Sequence, residues 1–382
     1  MKPKFFITTT IGLTLFFFKG QARLWKETFD VTAISGGKEK LVEFAESEKI
    51  NYKYLPIHRE INLWSDFMCL IRLIVLFLKE RPTIVHGNTP KASLLSMLAA
   101  WMTRCPIRIY MCHGLRYQGM EGMSKKLLMA MEKLTCGCAT QVISVSKGVA
   151  DMLVSDGLCK KGKVKVMGHG GVKGIDLQSF NPDIVKSPLR EEYKIKTSDF
   201  VYCFMGRIVR DKGVNELVHA FQQISNERCD CHLFLLGNEE NSLNAISEDT
   251  RMIIKNNGYI HALKRQDDVR PFLKASDAFV FPSYREGFGI VLIEAAAMGL
   301  PCIATNIIGC NDLIVNGVNG DIVEPRNIHS LYVTMKHWVE DRSYVKKMAA
   351  KARKIIVDKF ESEKVAMLYY EEYKRLAQNI RN

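Results

Sequence analysis

The sequence lacks several features that would assign it to a common class of protein. Its 382 residues contain no C-x2-C spacing of the kind found in zinc sites and no RNA-binding signature. Acidic residues are in deficit, 41 against 54 basic ones, which leaves a net charge of +13. The positive charge is dispersed, so we expect no nucleic-acid partner. An anionic membrane surface and anionic small ligands such as diphosphates remain as partners, and the alternative is a basic surface that serves only solubility.

A long uninterrupted apolar run is also missing. The apolar segment at residues 67–78 is interrupted by Arg72 and flanked by Asp66 and Lys79. This segment is too short and too charged to span a membrane. It predicts a packed helix or one lying on a membrane surface. Residues 5–18 imitate a signal peptide, but the three threonines at 8–10 and the polar continuation fit a strand, a loop and a helix better.

The cysteine count gives no disulfide framework. There are eleven cysteines, an odd number, and most lie in apolar segments, as do Cys112, Cys203 and Cys302. In such positions cysteine behaves as a small buried hydrophobe. We therefore expect reduced thiols in a cytoplasmic protein.

Short apolar strands alternate with helical stretches in two similar series. This alternation predicts α/β domains with doubly wound parallel sheets, and the length favours two of them. The predicted strands cover residues 5–10, 31–35, 52–57, 83–87, 108–113 and 140–146, and then 200–206, 231–237, 258–262, 277–283 and 301–305. A linker is predicted around residues 182–188. The predicted domains are thus 1–183 and 184–360, followed by a terminal helix in 361–382.

The most informative feature is a pair of glutamates, Glu286 and Glu294, separated by seven residues. A predicted strand ends just before Glu286, and helical spacing places Glu294 about one turn into the next helix. In an open α/β sheet this position is the mouth of a ligand crevice, where Gly287 and Gly289 let a ligand approach the backbone N–H groups. Two carboxylates there can accept hydrogen bonds from vicinal sugar hydroxyls.

A second motif follows the first predicted strand of the second series. Gly206, Arg207 and Lys212 lie at its carboxyl end, before a predicted helix. An arginine can bind a diphosphate through two parallel hydrogen bonds, and a lysine acts on it as a point charge. Cations are disfavoured at a helix N-terminus unless an anion is expected. The motif therefore predicts a diphosphate site.

Together these motifs resemble the signature of retaining glycosyltransferases of family 4, and the resemblance covers nearly the whole chain. It implies the GT-B fold, in which two Rossmann-like domains face a central cleft, with a terminal helix crossing back to the N-terminal domain. It also implies a nucleotide-linked sugar as donor. In that reading Arg207 and Lys212 bind the donor diphosphate, Glu286 contacts the donor sugar, and Glu294 grips the ribose.

The N-terminal half carries weaker motifs. His113 ends the fifth predicted strand, a position that in similar enzymes contacts the donor sugar near its reacting carbon. Residues 83–92 resemble a family segment, with His86 in register but Asn88 where a second histidine is common. The resemblance implies four catalytic residues, namely His113, Arg207, Lys212 and Glu286. It implies donor-binding roles for Gly206, Gly287, Phe288, Gly289, Ile290 and Glu294.

The expected chemistry follows from what these motifs supply. They place no carboxylate as a nucleophile like that of a retaining glycosidase. The resemblance implies same-face substitution, in which the leaving diphosphate takes the proton of the acceptor hydroxyl. The chain has no D-x-D pair, so the metal-bridged diphosphate of the other large glycosyltransferase fold is not expected. We expect no metal and no cofactor beyond the co-substrate, a UDP-sugar.

The resulting hypothesis is a hexosyltransferase of capsular polysaccharide or exopolysaccharide biosynthesis. Its acceptor would be a glycan or a polyprenyl-diphosphate-linked glycan. It would be cytoplasmic and peripheral on the inner face of the cytoplasmic membrane, as its basic charge and apolar stretch suggest. The alternatives are a nucleotide-sugar epimerase of the same fold and a non-catalytic sugar-nucleotide-binding protein. A glycogen-type phosphorylase would need a pyridoxal-phosphate lysine, for which no motif is visible.

Overall fold

A computed structural model describes residues 2–60, 62–240 and 244–380. They form two compact units: one contains the chain up to Gly174 and the segment from Ser362 onward, and the other runs from Ile175 to Glu361. The division lies upstream of residues 182–188, where the sequence predicted the linker. Each unit holds one β-sheet, of seven strands in the first and six in the second. All strand pairs are parallel, as the alternation of strands and helices predicted.

Among the described residues, the first unit contains seven strands, six α-helices and the terminal α-helix. The strands are β1 (Lys4–Ile11), β2 (Asp30–Gly36), β3 (Asn51–Tyr54), β4 (Ile84–Gly87), β5 (Ile107–Cys112), β6 (Gln141–Ser144) and β7 (Val164–Val166). The helices are α1 (Gln21–Trp25), α2 (Lys38–Glu48), α3 (Leu63–Glu80), α4 (Pro90–Met102), α5 (Gly122–Cys138) and α6 (Lys147–Ser155), with the terminal helix at Ser362–Gln378. The strands lie in the order β3-β2-β1-β4-β5-β6-β7.

In the part of the second unit that the structure describes there are six strands and seven α-helices. The strands are β8 (Phe200–Met205), β9 (Cys231–Leu236), β10 (Ile260–Leu263), β11 (Ala278–Phe281), β12 (Cys302–Thr305) and β13 (Gly320–Val323). The helices are α7 (Leu189–Glu192), α8 (Val214–Glu227), α9 (Glu248–Asn256), α10 (Arg270–Ala275), α11 (Ile290–Ala297), α12 (Ile328–Glu340) and α13 (Arg342–Phe360). The strand order is β10-β9-β8-β11-β12-β13.

The strand sequences explain why the sheets lie inside the units. Every residue of β8, β9, β11 and β12 is buried, because helices cover both faces of a doubly wound sheet. Such strands read as continuous apolar runs, and the eleven predicted strands are all confirmed. The chain start is also confirmed as a strand followed, through a short 3-10 helix at Gly12–Phe18, by a helix.

Two further observations concern membranes and thiols. Within the described ranges, no helix combines the length and the apolar character needed to cross a bilayer. All eleven cysteines have free thiols.

The terminal helix is fastened to the first unit by a buried carboxylate. Glu372 accepts hydrogen bonds from Arg375, from Lys165 at 2.8 Å and from Gln141 at 3.2 Å. The bond from Arg375 above all, with those from Lys165 and Gln141, lowers the pKa of Glu372 to about 2. A second fastening comes from Tyr369, whose hydroxyl donates to the Gly171 carbonyl at 2.6 Å.

We expect Glu372→Gln to destabilise the protein by about 1–3 kcal/mol, because it removes charged hydrogen bonds at a buried site. The folded-state pKa is depressed, so this stabilisation is complete above the ordinary glutamate pKa and is lost as the pH falls toward 2. Chemical denaturation at pH 7 and pH 4 measures both effects. Glu371→Gln is the matched control, since the neighbouring Glu371 is exposed and pairs with Lys374 one turn away. Equal effects of the two variants would contradict the assignment.

Candidate functional site

The predicted diphosphate and sugar motifs lie at one edge of the second unit's sheet. The chain runs outward from β8 through β9 to β10, and then outward in the other direction from β11 through β12 to β13. The strand order thus reverses between β8 and β11, which pair directly. In open parallel sheets ligands bind beyond the carboxyl ends of the strands at such a switch point. The loops after β8 and β11 are the two that flank it.

The loop after β8 packs closely on the end of β11. It turns through a short 3-10 helix, Arg210–Lys212, into Gly213, whose φ of 68° lies in the left-handed region. A Cβ at Gly213 would come within 2.0 Å of the Pro282 carbonyl oxygen, so only glycine fits there. The Tyr284 N–H donates to the Asp211 carbonyl at 2.9 Å. These backbone contacts fix Lys212 next to the glutamate motif.

Lys212 and Glu286 form an ion pair at the centre of the site. Their side chains are only 19% and 16% exposed, so both charges are largely shielded from water. The Ser283 hydroxyl donates to the same Glu286 oxygen at 3.1 Å. The Lys212 ammonium also lies 5.4 Å from the ring centre of Phe281, within reach of a cation–π interaction. Lys212 is thereby held in one place by a carboxylate and a ring.

Arg207 is the second cation of the motif and is more accessible. Its side chain is 53% exposed and pairs with Glu240 at 2.8 Å. The preceding residue, Gly206, is bonded to β9 through its N–H, which donates to the Leu236 carbonyl at 3.0 Å. An exposed ion pair of this kind contributes little to stability. Arg207 can therefore exchange Glu240 for another anion at small cost.

The glycines of the glutamate motif let the backbone approach the start of α11 closely. Gly289 is the residue before the helix, and its N–H donates to the Gly309 carbonyl at 3.3 Å. Gly309, with φ 85°, would place a Cβ 2.9 Å from the backbone of Gly287. Ile290 is the first residue of α11, and Glu294 lies one turn further along, partly exposed. Phe288 packs against the Phe360 ring with ring centres 5.8 Å apart, which is a packing contact.

The sequence motifs did not predict several residues of the site. Asp211 forms an ion pair with Arg285 at 2.6 Å, and the Tyr284 hydroxyl donates to Glu216 at 2.6 Å. The guanidinium of Arg326 lies 4.7 Å from the Tyr284 ring centre. Each of these contacts joins residues far apart in the chain, and spacing gives no signal for them. Ser283 could have been suspected because it lies two residues after the end of β11.

The first unit places His113 immediately after β5. Its Nε2 lies 3.2 Å from the Asn88 side-chain oxygen, and its ring stacks on Phe17 with centres 5.8 Å apart. Burial lowers the pKa of His113 to about 4, so the ring is neutral at pH 7. His86 is fully buried against Tyr373 and cannot meet a ligand directly.

Three of the four predicted catalytic residues thus lie in the second unit, and two of them are in contact. Lys212 and Glu286 are in contact, Arg207 starts the same loop as Lys212, and His113 belongs to the first unit. No cluster of three or more histidine, cysteine, aspartate or glutamate side chains suited to a metal occurs among the described residues. The arrangement presents two cations, a helix start and a carboxylate, which suits a ligand combining phosphates with hydroxyls.

Both halves of the chain match models of known protein families. Residues 22–170 match the family model described as Glycosyltransferase Family 4, and residues 185–355 match the one described as Glycosyl transferases group 1. The chain is 34% identical over 362 residues, 94% of each protein, to the capsular polysaccharide biosynthesis glycosyltransferase CapM of Staphylococcus aureus. It is 27% identical to the UDP-Gal:alpha-D-GlcNAc-diphosphoundecaprenol alpha-1,3-galactosyltransferase of Escherichia coli, with 87% of this chain and 86% of that protein covered.

The fold is also found in solved structures. The crystal structure of Anabaena HepE in complex with UDP and glucose superposes with a TM-score of 0.79 at 17% identity, covering 97% of this chain and 99% of that one. At this identity the likeness shows the fold alone. The two parallel-sheet units are those of the GT-B fold, as the sequence predicted.

Proposed function

The chain belongs to glycosyltransferase family 4, and we propose that it moves a hexose from a nucleotide-sugar donor to a hydroxyl of a glycan or lipid-linked glycan. The product would be a capsular polysaccharide or another surface exopolysaccharide. The observation that carries the proposal is the arrangement of Lys212, Glu286 and Arg207 at the switch point of the second unit's sheet. The names of the two relatives described above support the polymer and the lipid-linked acceptor.

The donor diphosphate is the anion that this site is built to receive. Lys212 and Arg207 are each paired with a carboxylate, and a diphosphate brings more negative charge than either Glu286 or Glu240. Binding therefore transfers both cations from carboxylates to phosphate oxygens. Glu286 is released from Lys212 by the same step and becomes available to accept hydrogen bonds from the sugar. Gly287 to Ile290, at the start of α11, supply backbone N–H groups beside Glu294, which takes the ribose.

The proposed reaction keeps the anomeric configuration. The bond between the anomeric carbon and the diphosphate oxygen breaks, and the acceptor oxygen bonds to the same face of that carbon. The acceptor's proton goes to the departing diphosphate oxygen, so that atoms and charge balance. Lys212 and Arg207 stabilise the negative charge that grows on the leaving group, which is the preorganised electrostatic effect that dominates many enzymes. UDP is the proposed nucleotide, since the structurally similar HepE binds it.

The outer face of the first unit supports a peripheral membrane position. Helix α3 buries Cys69, Leu73 and Phe77 but exposes apolar side chains on its other side, with Leu63 83% and Trp64 72% exposed. The same outward stripe continues through Phe67, Ile71, Val75 and Leu78. Exposed apolar patches of this kind mark interaction surfaces.

Helix α5 adds positive charge to the same side of the sheet. Helices α3 and α5 both pack on α4, which lies between them. The outer face of α5 exposes Met123 and Leu127 together with Lys125, Lys126 and Lys133. Apolar side chains with surrounding lysines suit the interface of an anionic bilayer. We place the protein on the cytoplasmic face of the membrane, where a polyprenyl-diphosphate-linked acceptor would be reached.

We expect Lys212→Ala to lower turnover of the best donor, found by screening sugar nucleotides, on the order of 10²- to 10³-fold. The loss follows from removing one charge from the growing diphosphate. Initial rates with a glycan acceptor measure it, and circular dichroism checks folding. Lys336→Ala is the matched control, because Lys336 pairs with Glu227 at the far end of α8. A Lys212→Ala rate within tenfold of the parent would contradict the proposal.

Turnover is expected to persist in EDTA. Two side-chain cations take the place that a metal holds in neutralising a diphosphate, so removing divalent ions leaves the leaving group stabilised. Rates are compared after chelation and after adding back Mg²⁺ or Mn²⁺. A rate that falls more than tenfold and is restored by the metal would show that the site needs one.

Vesicle binding tests the membrane surface. Trp64→Ser combined with Leu78→Ser should weaken binding to vesicles containing phosphatidylglycerol by at least about tenfold, because each loses buried apolar area in the lipid. Co-sedimentation measures the bound fraction. Val333→Ser, at an exposed apolar position of α12 in the second unit, is the control. Parent protein that stays in the supernatant at low salt would refute the membrane position.

A further inference from the structure

Two of the free thiols in the first unit lie against each other. The side chain of Cys136, in the last turn of α5, forms a hydrogen bond with the side chain of Cys159, which follows α6. Cys136 is buried, whereas Cys159 is half-buried and accessible to small molecules. Along the chain, Cys136 precedes β6 and Cys159 precedes β7, and these two strands are neighbours in the sheet. Two segments that are separate in the sequence thus bring two sulfur atoms together.

Contacts of the backbone hold the two segments in place. The Cys159 N–H donates to the Leu153 carbonyl at 3.0 Å, which turns the chain at the end of α6. Four residues after Cys159, the Lys163 ammonium donates to the carbonyl oxygens of Cys136 and Gly137, in the second case at 3.0 Å. The turn that carries Cys159 is therefore fastened to the end of α5 independently of the two thiols.

The surroundings give the two thiols different reactivities. The hydrogen bond from Cys136 above all, helped by the nearby Lys163 ammonium, lowers the pKa of the Cys159 thiol. Burial and the Glu132 carboxylate oppose this shift without cancelling it. The same hydrogen bond and burial raise the pKa of the Cys136 thiol. Cys159 is therefore the sulfur that becomes a thiolate, and the thiolate is the form of cysteine that reacts with oxidants.

We propose that Cys136 and Cys159 form an oxidant-sensitive thiol pair, in which hydrogen peroxide oxidises Cys159 and Cys136 then closes a disulfide with it. A partly accessible thiolate beside a second, resolving cysteine is the arrangement that redox-sensitive proteins use. The disulfide would fasten the end of α5 to the turn before β7, which is the edge strand of the sheet. The inference does not rest on the proposed function, since neither thiol belongs to the motifs that carry it.

The oxidation proceeds in two steps. In the first, the Cys159 sulfur bonds to one oxygen of hydrogen peroxide as the O–O bond breaks, and the departing hydroxide takes up the proton that Cys159 released. In the second, the Cys136 sulfur bonds to the Cys159 sulfur, and the sulfenic oxygen leaves with the Cys136 proton as water. The two thiols together lose two electrons, and one hydrogen peroxide is reduced to two water molecules.

Peptide mapping of the full chain tests the disulfide. The protein is treated with hydrogen peroxide in the presence of a chelator, its remaining thiols are alkylated, and it is digested without reduction. We expect a disulfide between the peptides that carry Cys136 and Cys159, which dithiothreitol removes. Cys138→Ser is the matched control, since Cys138 lies two residues along the same helix and its loss should leave the disulfide intact. A parent protein in which Cys136 is alkylated after oxidation, or is bridged to another cysteine, would overturn the proposal.

The rate of alkylation tests the roles of the two sulfur atoms. Cys136→Ala should slow the reaction of Cys159 with iodoacetamide at pH 7 by about three- to tenfold, because the hydrogen-bond donor that stabilises the thiolate is lost. Mass spectrometry of the peptides follows the rate, with Cys229, an exposed cysteine of the second unit, as the internal reference. An equal rate in parent and variant would overturn the role of Cys136. If this variant fails to fold, the peptide map of the parent protein decides the proposal.

Discussion

The ion pair between Lys212 and Glu286 is the interaction on which the proposed site depends. It joins the loop after β8 to the loop after β11, the two strands between which the sheet reverses its order. Both charges are poorly exposed to water. Removing either partner would therefore leave the other charge unpaired in a site of low dielectric, which costs free energy. A ligand that replaces Glu286 beside Lys212 must therefore bring its own negative charge. The site therefore favours anionic ligands over neutral ones, whatever other contacts the ligand makes.

The fold makes the pair possible through backbone fit. Gly213 lies against the Pro282 carbonyl and Gly309 against Gly287, so each side of the site is closed by a glycine where a larger residue would separate the loops. Asp211 adds a second link between the loops through Arg285. In the first unit the contact is between side chains, where the buried Asn88 lies within hydrogen-bond distance of His113. Rigid scaffolding behind an accessible group is what keeps such a group in a productive geometry.

Much of the fold could be predicted from the sequence because buried parallel strands read as apolar runs. The two strands that were missed, β7 and β13, show the limit of this signal. β7 has three residues and an exposed lysine, Lys165, at its centre, and β13 begins with Gly320 and Asp321. Both lie at an edge of their sheet, where less side-chain area is buried. Whether such a segment forms a strand depends on pairing with the neighbouring strand, and the composition of the segment does not show that pairing.

The site was predictable where its chemistry lies within one segment. The spacings from Arg207 to Lys212 and from Glu286 to Glu294 were visible because strand, turn and helix follow one another directly. The pairing of Arg207 with Glu240 and the contact of Asn88 with His113 were not, since they depend on how distant loops meet. The packing of the Phe288 ring against Phe360 is a further contact of this kind.

The most direct test of the proposed site is a crystal structure of the full chain grown with UDP. We expect a diphosphate bound beyond the carboxyl ends of β8 and β11, with Lys212 and Arg207 on its oxygens and Lys212 no longer on Glu286. A diphosphate bound elsewhere, or one bound while the Lys212–Glu286 pair stays intact, would contradict it.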